Sequence, residues 1–295
     1  MNYSYVIGIE NVDKPKENNF EIKPYGNNYG ISFSSDKKEM IDNIEIWNKD
    51  NNNIPIIVSI PHSGTYLPVT MKEKLIDNII LPNMDWYLPK LYLFLQDLGI
   101  TTLINNVSRY VIDTNREITD CKSDSYVKNY IYTKTTFNHE MYKKVLGNNE
   151  INYRIKEYYN PYHNFITNLI SNKLAKFNKV YLIDLHSFGK DIEEDIVLGN
   201  KNYKTASYEF TNLIKDSLEK NEFKISLNKP YSGGYIVKKY AGENVETMQI
   251  ELSYKKYIEN RVFGNEAFPK IDNNLFNKTQ EKLKRLFEEL IEKTK

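Results

Sequence analysis

The chain has 295 residues, with 40 Lys and Arg against 39 Asp and Glu, so its formal net charge is +1. This balance gives no argument for a nucleic-acid or anionic-membrane partner. A single cysteine, Cys121, excludes an intrachain disulfide. The N-terminus lacks the features of a signal peptide, and no run approaches the ~20 apolar residues of a membrane span, so we expect a cytoplasmic protein.

Residues 1–53 differ in character from the rest of the chain. They are polar, with turn signals at Lys14-Pro15, at residues 25–28 and at residues 49–53. Short pieces between these turns alternate weakly between apolar and polar side chains, which is typical of edge strands. We therefore predict a small strand-rich N-terminal extension over residues 1–53, and we find no residues in it that indicate chemistry.

From Ile54 onward, apolar runs of strand length alternate with stretches of helical periodicity. In chain order the predicted elements are a strand at Ile56–Ile60, a helix between Asp85 and Gly99, a strand at Thr101–Ile104, a helix starting at Asn160-Pro161, a strand at Val180–Ile183, a helix at Tyr208–Leu218, a strand at Thr247–Leu252 and an amphipathic C-terminal helix. This alternation favours a mostly parallel sheet covered by helices on both faces. We expect residues 54–295 to form one α/β domain of this class.

Three of these strands carry, or end at, a residue that can bind or work with a metal. His62 follows the first strand, His186 follows the strand at Val180–Ile183, and Glu251 lies within the strand at Thr247–Leu252. Ligands of open α/β sheets bind beyond the carboxyl ends of the strands, so we expect these side chains to meet at one edge. Two imidazoles and a carboxylate there indicate a metal-assisted hydrolase.

Each of these residues also has a plainer interpretation. His62 fits a loop histidine bonded to the backbone, and Glu251 fits an exposed glutamate of an edge strand. Asp184 lies two residues before His186 and faces the same way, so it would either bond the second ring nitrogen or form a buried polar pair. Asp85 precedes an apolar helix as an N-cap or first-turn acid, or it supplies the third metal ligand that two histidines need.

A segment with two arginines indicates how a substrate would be held. Arg109, Asn115 and Arg116 lie within eight residues of one another. Arginine grips a carboxylate at two points and also stabilises an oxyanion, so this set fits an acidic substrate. The alternative for each arginine is a salt bridge to Asp113 or to another acid at the surface.

A glycine pair interrupts the segment from Pro230 to Tyr235. Gly233 and Gly234 allow the backbone to approach a ligand closely, and they also suit a tight turn. Both explanations fit the sequence, and we include both glycines in the candidate substrate site.

Six segments of the chain together carry a family resemblance. They are Pro61–Gly64, Ser108–Arg116, Pro161–His163, Asp184–Phe188, Gly233–Ile236 and Gln249–Leu252. In this order they resemble the N-formylglutamate amidohydrolase (deformylase) family. The resemblance runs from about Ile54 to Tyr257 and does not extend to the first fifty or so residues.

The resemblance implies an α/β fold related to the zinc carboxypeptidases and a zinc-dependent hydrolase whose model substrate is N-formyl-L-glutamate. Position by position, His62 and His186 are similar to zinc ligands, and Glu251 is similar to the general base. Zn2+ is the implied cofactor, with another divalent metal as the alternative.

The same resemblance concerns the substrate-binding residues, and at one position the chain departs from the pattern of the carboxypeptidases. Asn115-Arg116 is similar to the Asn-Arg pair with which carboxypeptidases grip a carboxylate, and Arg109 would serve the oxyanion or a second carboxylate. Carboxypeptidases use a His-x-x-Glu pair, whereas the position three after His62 is Thr65. The third ligand must come from elsewhere, and we choose Asp85.

The resulting hypothesis is hydrolysis of N-formyl-L-glutamate or a related N-acylated acidic amino acid. The expected partner is therefore a small acidic substrate, with no nucleic acid and no membrane. Two rivals stay open: a metal-dependent small-molecule binding protein or inactive relative that uses the same pocket without turnover, and a metal-free structural module.

Overall fold

A mixed eight-stranded sheet organises the chain. The computed structural model describes residues 43–119, 128–260 and 268–294, together with the backbone of strands between residues 5 and 41, so Cys121 lies outside the described residues. The strands are β1 Tyr5–Ile7, β2 Phe20–Tyr25, β3 Asn28–Phe33, β4 Lys38–Ile41, β5 Ile44–Trp47, β6 Ile56–Ile60, β7 Thr101–Asn105, β8 Val180–Phe188, β9 Ile196–Gly199, β10 Ile225–Leu227 and β11 Val245–Ser253. The helices are α1 Val69–Lys72, α2 Leu88–Leu91, α3 Phe94–Asp97, α4 Asn148–Arg154, α5 Asn160–Leu174, α6 Tyr208–Lys220, α7 Tyr235–Tyr240 and α8 Asn273–Thr294.

The strand order places four carboxyl ends side by side. In the described residues the sheet runs β10-β9-β11-β8-β6-β7-β5-β4. Its centre is parallel, since β11 pairs with β8, β8 with β6, and β6 with β7 in the same direction. Antiparallel pairings of β9 with β11 and of β5 with β7 make the whole sheet mixed. The loops after β6, β7, β8 and β11 therefore share one edge.

Alternating side chains along the central strands fill two cores. Ile57 of β6 and Leu182 of β8 pack with α5, whose buried residues include Ile166. Ile56 and Ile183 point to the other face, into a larger core that also contains residues of α2, α3, α6 and α8. Helices thus cover both faces, which confirms the predicted α/β class.

The N-terminal strands divide between two sheets. β1 and β2 pair with β3 in a separate three-stranded sheet. β5, by contrast, pairs with β7, all four residues of Ile44–Trp47 are buried, and β4 pairs with β5. The main sheet therefore includes strands that precede residue 54, and the division of the chain at residue 53 stays a prediction. None of the described helices is long and apolar enough to cross a bilayer.

Two helix predictions are corrected. The helix predicted between Asp85 and Gly99 is two short helices. α2 begins only at Leu88, after Tyr87 in a left-handed conformation with φ of 60°, and it ends before Tyr92, whose φ of −97° and ψ of 19° are not helical. α5 begins at Asn160, as predicted, but Asn160 does not cap a free helix end, since it is itself helical, with φ −61° and ψ −44°. A π-helical stretch, Ile155–Tyr159, joins α4 to α5, and its wider turn lies directly before Pro161, which has no N–H to donate.

Candidate active site

Two histidines and an aspartate meet at the shared edge of the sheet. His62 lies in the loop after β6, His186 lies on β8, and Asp85 lies in the loop before α2. The three residues are 2, 3 and 2 % exposed respectively, and one ligand atom of each lies within 4.8 Å of the others. The structure therefore brings together the three residues that were expected to hold a metal.

Each histidine ring is oriented by a second carboxylate. His62 Nε2 lies 2.6 Å from Asp113 Oδ1, and His186 Nε2 lies 2.8 Å from Asp184 Oδ2. The Nδ1 atoms face the remaining carboxylate, at 3.7 Å and 2.9 Å from Asp85 Oδ2. Such outer carboxylates fix the ring and its tautomer, so that the free nitrogen points at the metal position. The bond predicted from Asp184 to His186 is confirmed.

The electrostatics of the two histidines differ. Burial and the neighbouring Arg109 lower the pKa of His62 to about 4, so its ring is neutral at neutral pH. Burial also acts to lower the pKa of His186, but the charges and hydrogen bonds of Asp184 and Asp85 raise it well above its usual range. A bound cation would take the place of the proton on Nδ1, which faces Asp85, while Asp184 remains the partner of Nε2.

Asp85 is positioned by the backbone of the neighbouring loop. Its N–H donates to the carbonyl of His62 at 3.2 Å, and Ser63 Oγ donates to the Asp85 carbonyl at 2.6 Å. α2 has Tyr87 at its N-cap and no acidic residue in its first turn, so the alternative prediction for Asp85 as a helix cap or first-turn acid is wrong. The side chain turns to the histidines instead.

The three donors fit a divalent metal of the zinc type. Two imidazole nitrogens and one carboxylate oxygen are the ligands of many catalytic zinc sites, which keep a further position open. All three donors are buried, and both rings are held by acceptors on their far side. This donor set is able to hold the ion.

Glu251 stands beside these donors on the neighbouring strand. In the register of β11 and β8 it lies opposite His186. Since β11 lies between β8 and β9, the alternative of an edge-strand glutamate is wrong. Burial, together with the negative charges of Asp85 and Asp184, outweighs the nearby cations and raises the pKa of Glu251 to about 7. A carboxylate with this pKa is able both to take and to return a proton near neutral pH.

Arg109 lies at the same centre. Its Nη2 donates to Asp113 Oδ2 and to the hydroxyl of Tyr132, each at 3.1 Å, and its Nη1 lies 4.0 Å from Asp85 Oδ1. The predicted salt bridge to Asp113 is therefore present, and the guanidinium also faces the cavity. Burial acts against its charge, but Tyr132 and the two carboxylates raise the pKa of Arg109 further.

Asn115 and Arg116 follow in the same loop. Asn115 Oδ1 accepts from the N–H of Ile236 at 2.8 Å, and its Nδ2 lies 3.0 Å from His186 Nε2. Arg116 Nη1 donates to the carbonyl of Asn115, and its Nε is buried without a hydrogen-bond partner among the described residues. The glycine pair lies against this loop, because a Cβ on Gly234 would be 2.2 Å from Asn115 Nδ2.

One cavity of about 720 Å³ joins these groups. It is lined by all nine residues singled out from the sequence: His62, Asp85, Arg109, Asn115, Arg116, His186, Gly233, Gly234 and Glu251. Sequence reasoning missed Gln249 and Lys201 in its wall, and it treated Asp113 only as a salt-bridge partner. Gln249 carried a usable signal, since it lies two residues before Glu251 and so faces the same way.

Comparisons with known proteins show the family of the chain. Residues 54–258, more than half of the chain, match the N-formylglutamate amidohydrolase family. The N-formylglutamate deformylase of Pseudomonas putida is 27% identical over 220 residues, which cover 70% of this chain and 82% of that protein. The enzyme of the same name from Pseudomonas aeruginosa is 26% identical over 230 residues, covering 73% and 86%.

A solved structure shows the same fold. The crystal structure of N-formylglutamate amidohydrolase from Ralstonia eutropha JMP134 superposes with a TM-score of 0.73 at 22% identity. The match covers 86% of this chain and 98% of that one. The structural likeness shows the fold, and the match of residues 54–258 shows that the chain belongs to the N-formylglutamate amidohydrolase family.

Proposed function

We propose that this protein is a zinc-dependent amidohydrolase that cleaves N-formyl-L-glutamate or a closely related N-acylated acidic amino acid. The observation that carries the proposal is the convergence of His62, Asp85 and His186 within 4.8 Å, in a cavity that also holds Glu251 and two arginines. The curated relatives are named for the deformylation of N-formylglutamate, which supports the same substrate class.

His62 Nδ1, His186 Nδ1 and a carboxylate oxygen of Asp85 would hold the metal. When bound, a zinc ion supplies Lewis acidity, which is the chemistry that attack of water on an amide requires. Asp113 and Asp184 keep the two rings turned so that their free nitrogens face Asp85.

Glu251 is the proposed general base. Gln249 Nε2 donates to its Oε1 at 2.7 Å, so this oxygen is occupied and Oε2 is the atom left to accept a proton from the attacking water. A pKa of about 7 then favours return of that proton to the departing amine nitrogen. After the second transfer the carboxylate of Glu251 is deprotonated again, as it was at the start.

Each of the two arginines is assigned to a different anionic group of the substrate. Arg109 lies next to Asp85 and His62, so its guanidinium would stabilise the negative charge that develops on the scissile carbonyl oxygen. Arg116, whose Nε has no partner in the described part of the chain, would bind the α-carboxylate together with Asn115. Gly233 and Gly234 line the same wall and leave the substrate access to the backbone.

The direct test is amine release from N-formyl-, N-acetyl- and N-succinyl-L-glutamate by the zinc-loaded protein. We expect wild-type turnover of at least one of them, and a loss of about 10²- to 10⁴-fold in Glu251→Gln with zinc still bound. Glu243→Gln, which changes an exposed residue of the loop before β11, is the matched control. A wild-type protein that binds zinc and substrate without release would favour the binding-protein alternative, and full turnover of Glu251→Gln would exclude the base.

A further inference from the structure

The cations of the cavity are not equivalent. Arg109 is already surrounded by Asp113 and Asp85, and Lys238, which is exposed, pairs with Glu117 at 2.9 Å. Lys201 is half-buried in the cavity wall, and no carboxylate in the described ranges forms an ion pair with it. The cavity therefore offers a further positive charge that its own acids leave uncompensated.

The backbone that carries this lysine has an uncommon conformation. Lys201, Asn202 and Tyr203 have φ values of 52°, 56° and 62°, so three successive non-glycine residues are left-handed. Left-handed backbone is unfavourable for non-glycine residues, and such conformations persist only where the surroundings determine them. Such conformations occur preferentially at functional sites, which makes the side chain of Lys201, carried by this turn, a candidate for function.

Two side-chain amides, of Asn200 and Asn228, hold this turn in place. Asn228 Oδ1 accepts from the N–H groups of Asn200 and Asn202, and Asn200 Oδ1 accepts from the N–H of Tyr203 and from Asn228 Nδ2. Asn200 is fully buried, and its Nδ2 donates to Thr211 of α6. The turn is a rigid support rather than an open loop.

A further hydrogen bond connects the turn at residues 201–203 to the wall of the active-site cavity. The N–H of Lys201 donates to the carbonyl of Ser232 at 2.8 Å, directly before the glycine pair. Gly199 packs there too, since a Cβ on it would lie 2.5 Å from the nitrogen of Gly233. Lys201 therefore has a fixed position relative to the wall that contacts Asn115.

Neighbouring charges make this position suited to an anion. Burial, and the positive charges of Lys238 and Arg116, lower the pKa of Lys201. A carboxylate bound between Lys201 and Arg116 would relieve that repulsion and favour the charged amine. A carboxylate bound beside Arg109 would bring no such relief, because the charge of Arg109 is already balanced.

We propose that Lys201 binds the side-chain carboxylate of the substrate, while Asn115 and Arg116 hold its α-carboxylate. The inference rests on the proposed function, and it adds a residue that selects substrates with an acidic side chain. It also assigns Arg109 to the reacting carbonyl rather than to the second carboxylate, the two roles that the sequence left open.

The test compares N-formyl-L-glutamate with N-formyl-L-glutamine, which has a side chain of the same length without the charge. With the zinc-loaded full chain, Lys201→Met should lower kcat/KM for the acid by about 10- to 100-fold and change it far less for the amide. Lys204→Met removes the same charge three residues further along the chain, at an exposed position outside the cavity lining, and should leave both values unchanged.

A second variant separates loss of the charge from loss of the fold. Glycine adopts positive φ without strain, so Lys201→Gly should melt no lower than wild type and still lose the preference for the acid. If both Lys201 variants keep that preference, the inference is wrong. A loss in Lys190→Met, at the exposed rim, instead of in the Lys201 variants would also overturn it.

Binding of the product gives a readout independent of turnover. By calorimetry, wild type should bind L-glutamate more tightly than L-glutamine, and the Lys201 variants should lose most of that difference. If the wild-type protein released no amine from any substrate, the proposed function would fail, and equal binding of L-glutamate by wild type and Lys201→Met would overturn the role of Lys201 separately.

Discussion

Gln249 links the glycine pair to the proposed base, Glu251. Its Nε2 donates to Glu251 Oε1 at 2.7 Å, and its Oε1 accepts from the N–H of Gly234 at 2.6 Å. Because Gly234 also packs on Asn115, one side chain connects the proposed base with the loop that we propose to hold the substrate. This relationship makes Gln249 a positioning residue whose effect is measurable.

We expect Gln249→Leu to shift the acidic limb of the kcat/KM profile to higher pH and to lower kcat. The substitution removes a hydrogen bond to the charged form of Glu251, and loss of such a bond raises the pKa of a carboxyl further. Steady-state rates between pH 5 and pH 9 give the measurement. Gln280→Leu, which alters an amide of α8 bonded to the Lys90 and Leu91 carbonyls, should leave the profile in place. An unshifted limb in Gln249→Leu would remove the positioning role.

A second prediction concerns the carboxylate behind His62. In Asp113→Asn the ring loses its charged acceptor at Nε2, so we expect zinc affinity to fall by about 10- to 100-fold. Competition with a chromogenic chelator measures this directly. Asp216→Asn, on the exposed side of α6, has the same chemistry away from the cavity and should bind zinc as wild type does. Equal affinities in the two variants would show that Asp113 does not support the metal site.

The part of the site that could be predicted lies on the central strands. Apolar runs mark β6, β8 and β11, and parallel strands bring their ends to one edge, so His62, His186 and Glu251 follow from pattern and topology alone. Asp184 follows from the two-residue repeat of a strand. Local sequence and one general property of α/β sheets are therefore enough to predict these four residues.

The residues that escaped prediction depend on contacts between distant segments. Asp113 has a local explanation as the partner of Arg109 four residues earlier, and its contact with His62 spans 51 positions. Lys201 owes its place to a turn held by Asn228, which lies 27 residues further on. The start of α5 at Asn160 could be predicted from local sequence, but the π-helical turn before it, which makes Asn160 part of a continuous helix, could not.

The close approach of Gly234 to Asn115 gives a third prediction. An added Cβ would lie within 2.2–2.5 Å of the amide atoms of Asn115, so Gly234→Ala must displace that side chain. We expect KM for the acidic substrate to rise more than kcat falls, because the role proposed for Asn115 is in binding rather than in the proton transfers. Gly242→Ala meets nothing within 4 Å and is the control for a methyl group added to the same region of the chain. An unchanged KM in Gly234→Ala would place the substrate away from this wall.

The last prediction concerns the acid stability of the fold, through His163 of α5. Its Nε2 lies 3.0 Å from the carbonyl of Thr114, next to Asn115, and its Nδ1 lies 2.8 Å from the hydroxyl of Tyr240. Burial, with a smaller effect of the charge on Lys239, lowers the pKa of His163 to about 3 from an ordinary value of 6.5. The ring therefore stays neutral in the folded protein at every pH above about 3.

The unfolded chain takes up a proton on this ring near pH 6.5, so it binds more protons than the folded protein between about pH 6.5 and pH 3. The free energy of unfolding should therefore fall as the pH is lowered through this window, with a contribution of up to about 1.4 kcal/mol per pH unit from His163. Urea denaturation of wild type, His163→Gln and the exposed-residue control His139→Gln at several pH values measures the slopes. Glutamine cannot titrate there, so the slope of His163→Gln should be shallower than the other two, even though its stability at pH 7.5 is lower. Three parallel slopes would mean that the loop before Asn115 does not depend on a neutral ring at this position.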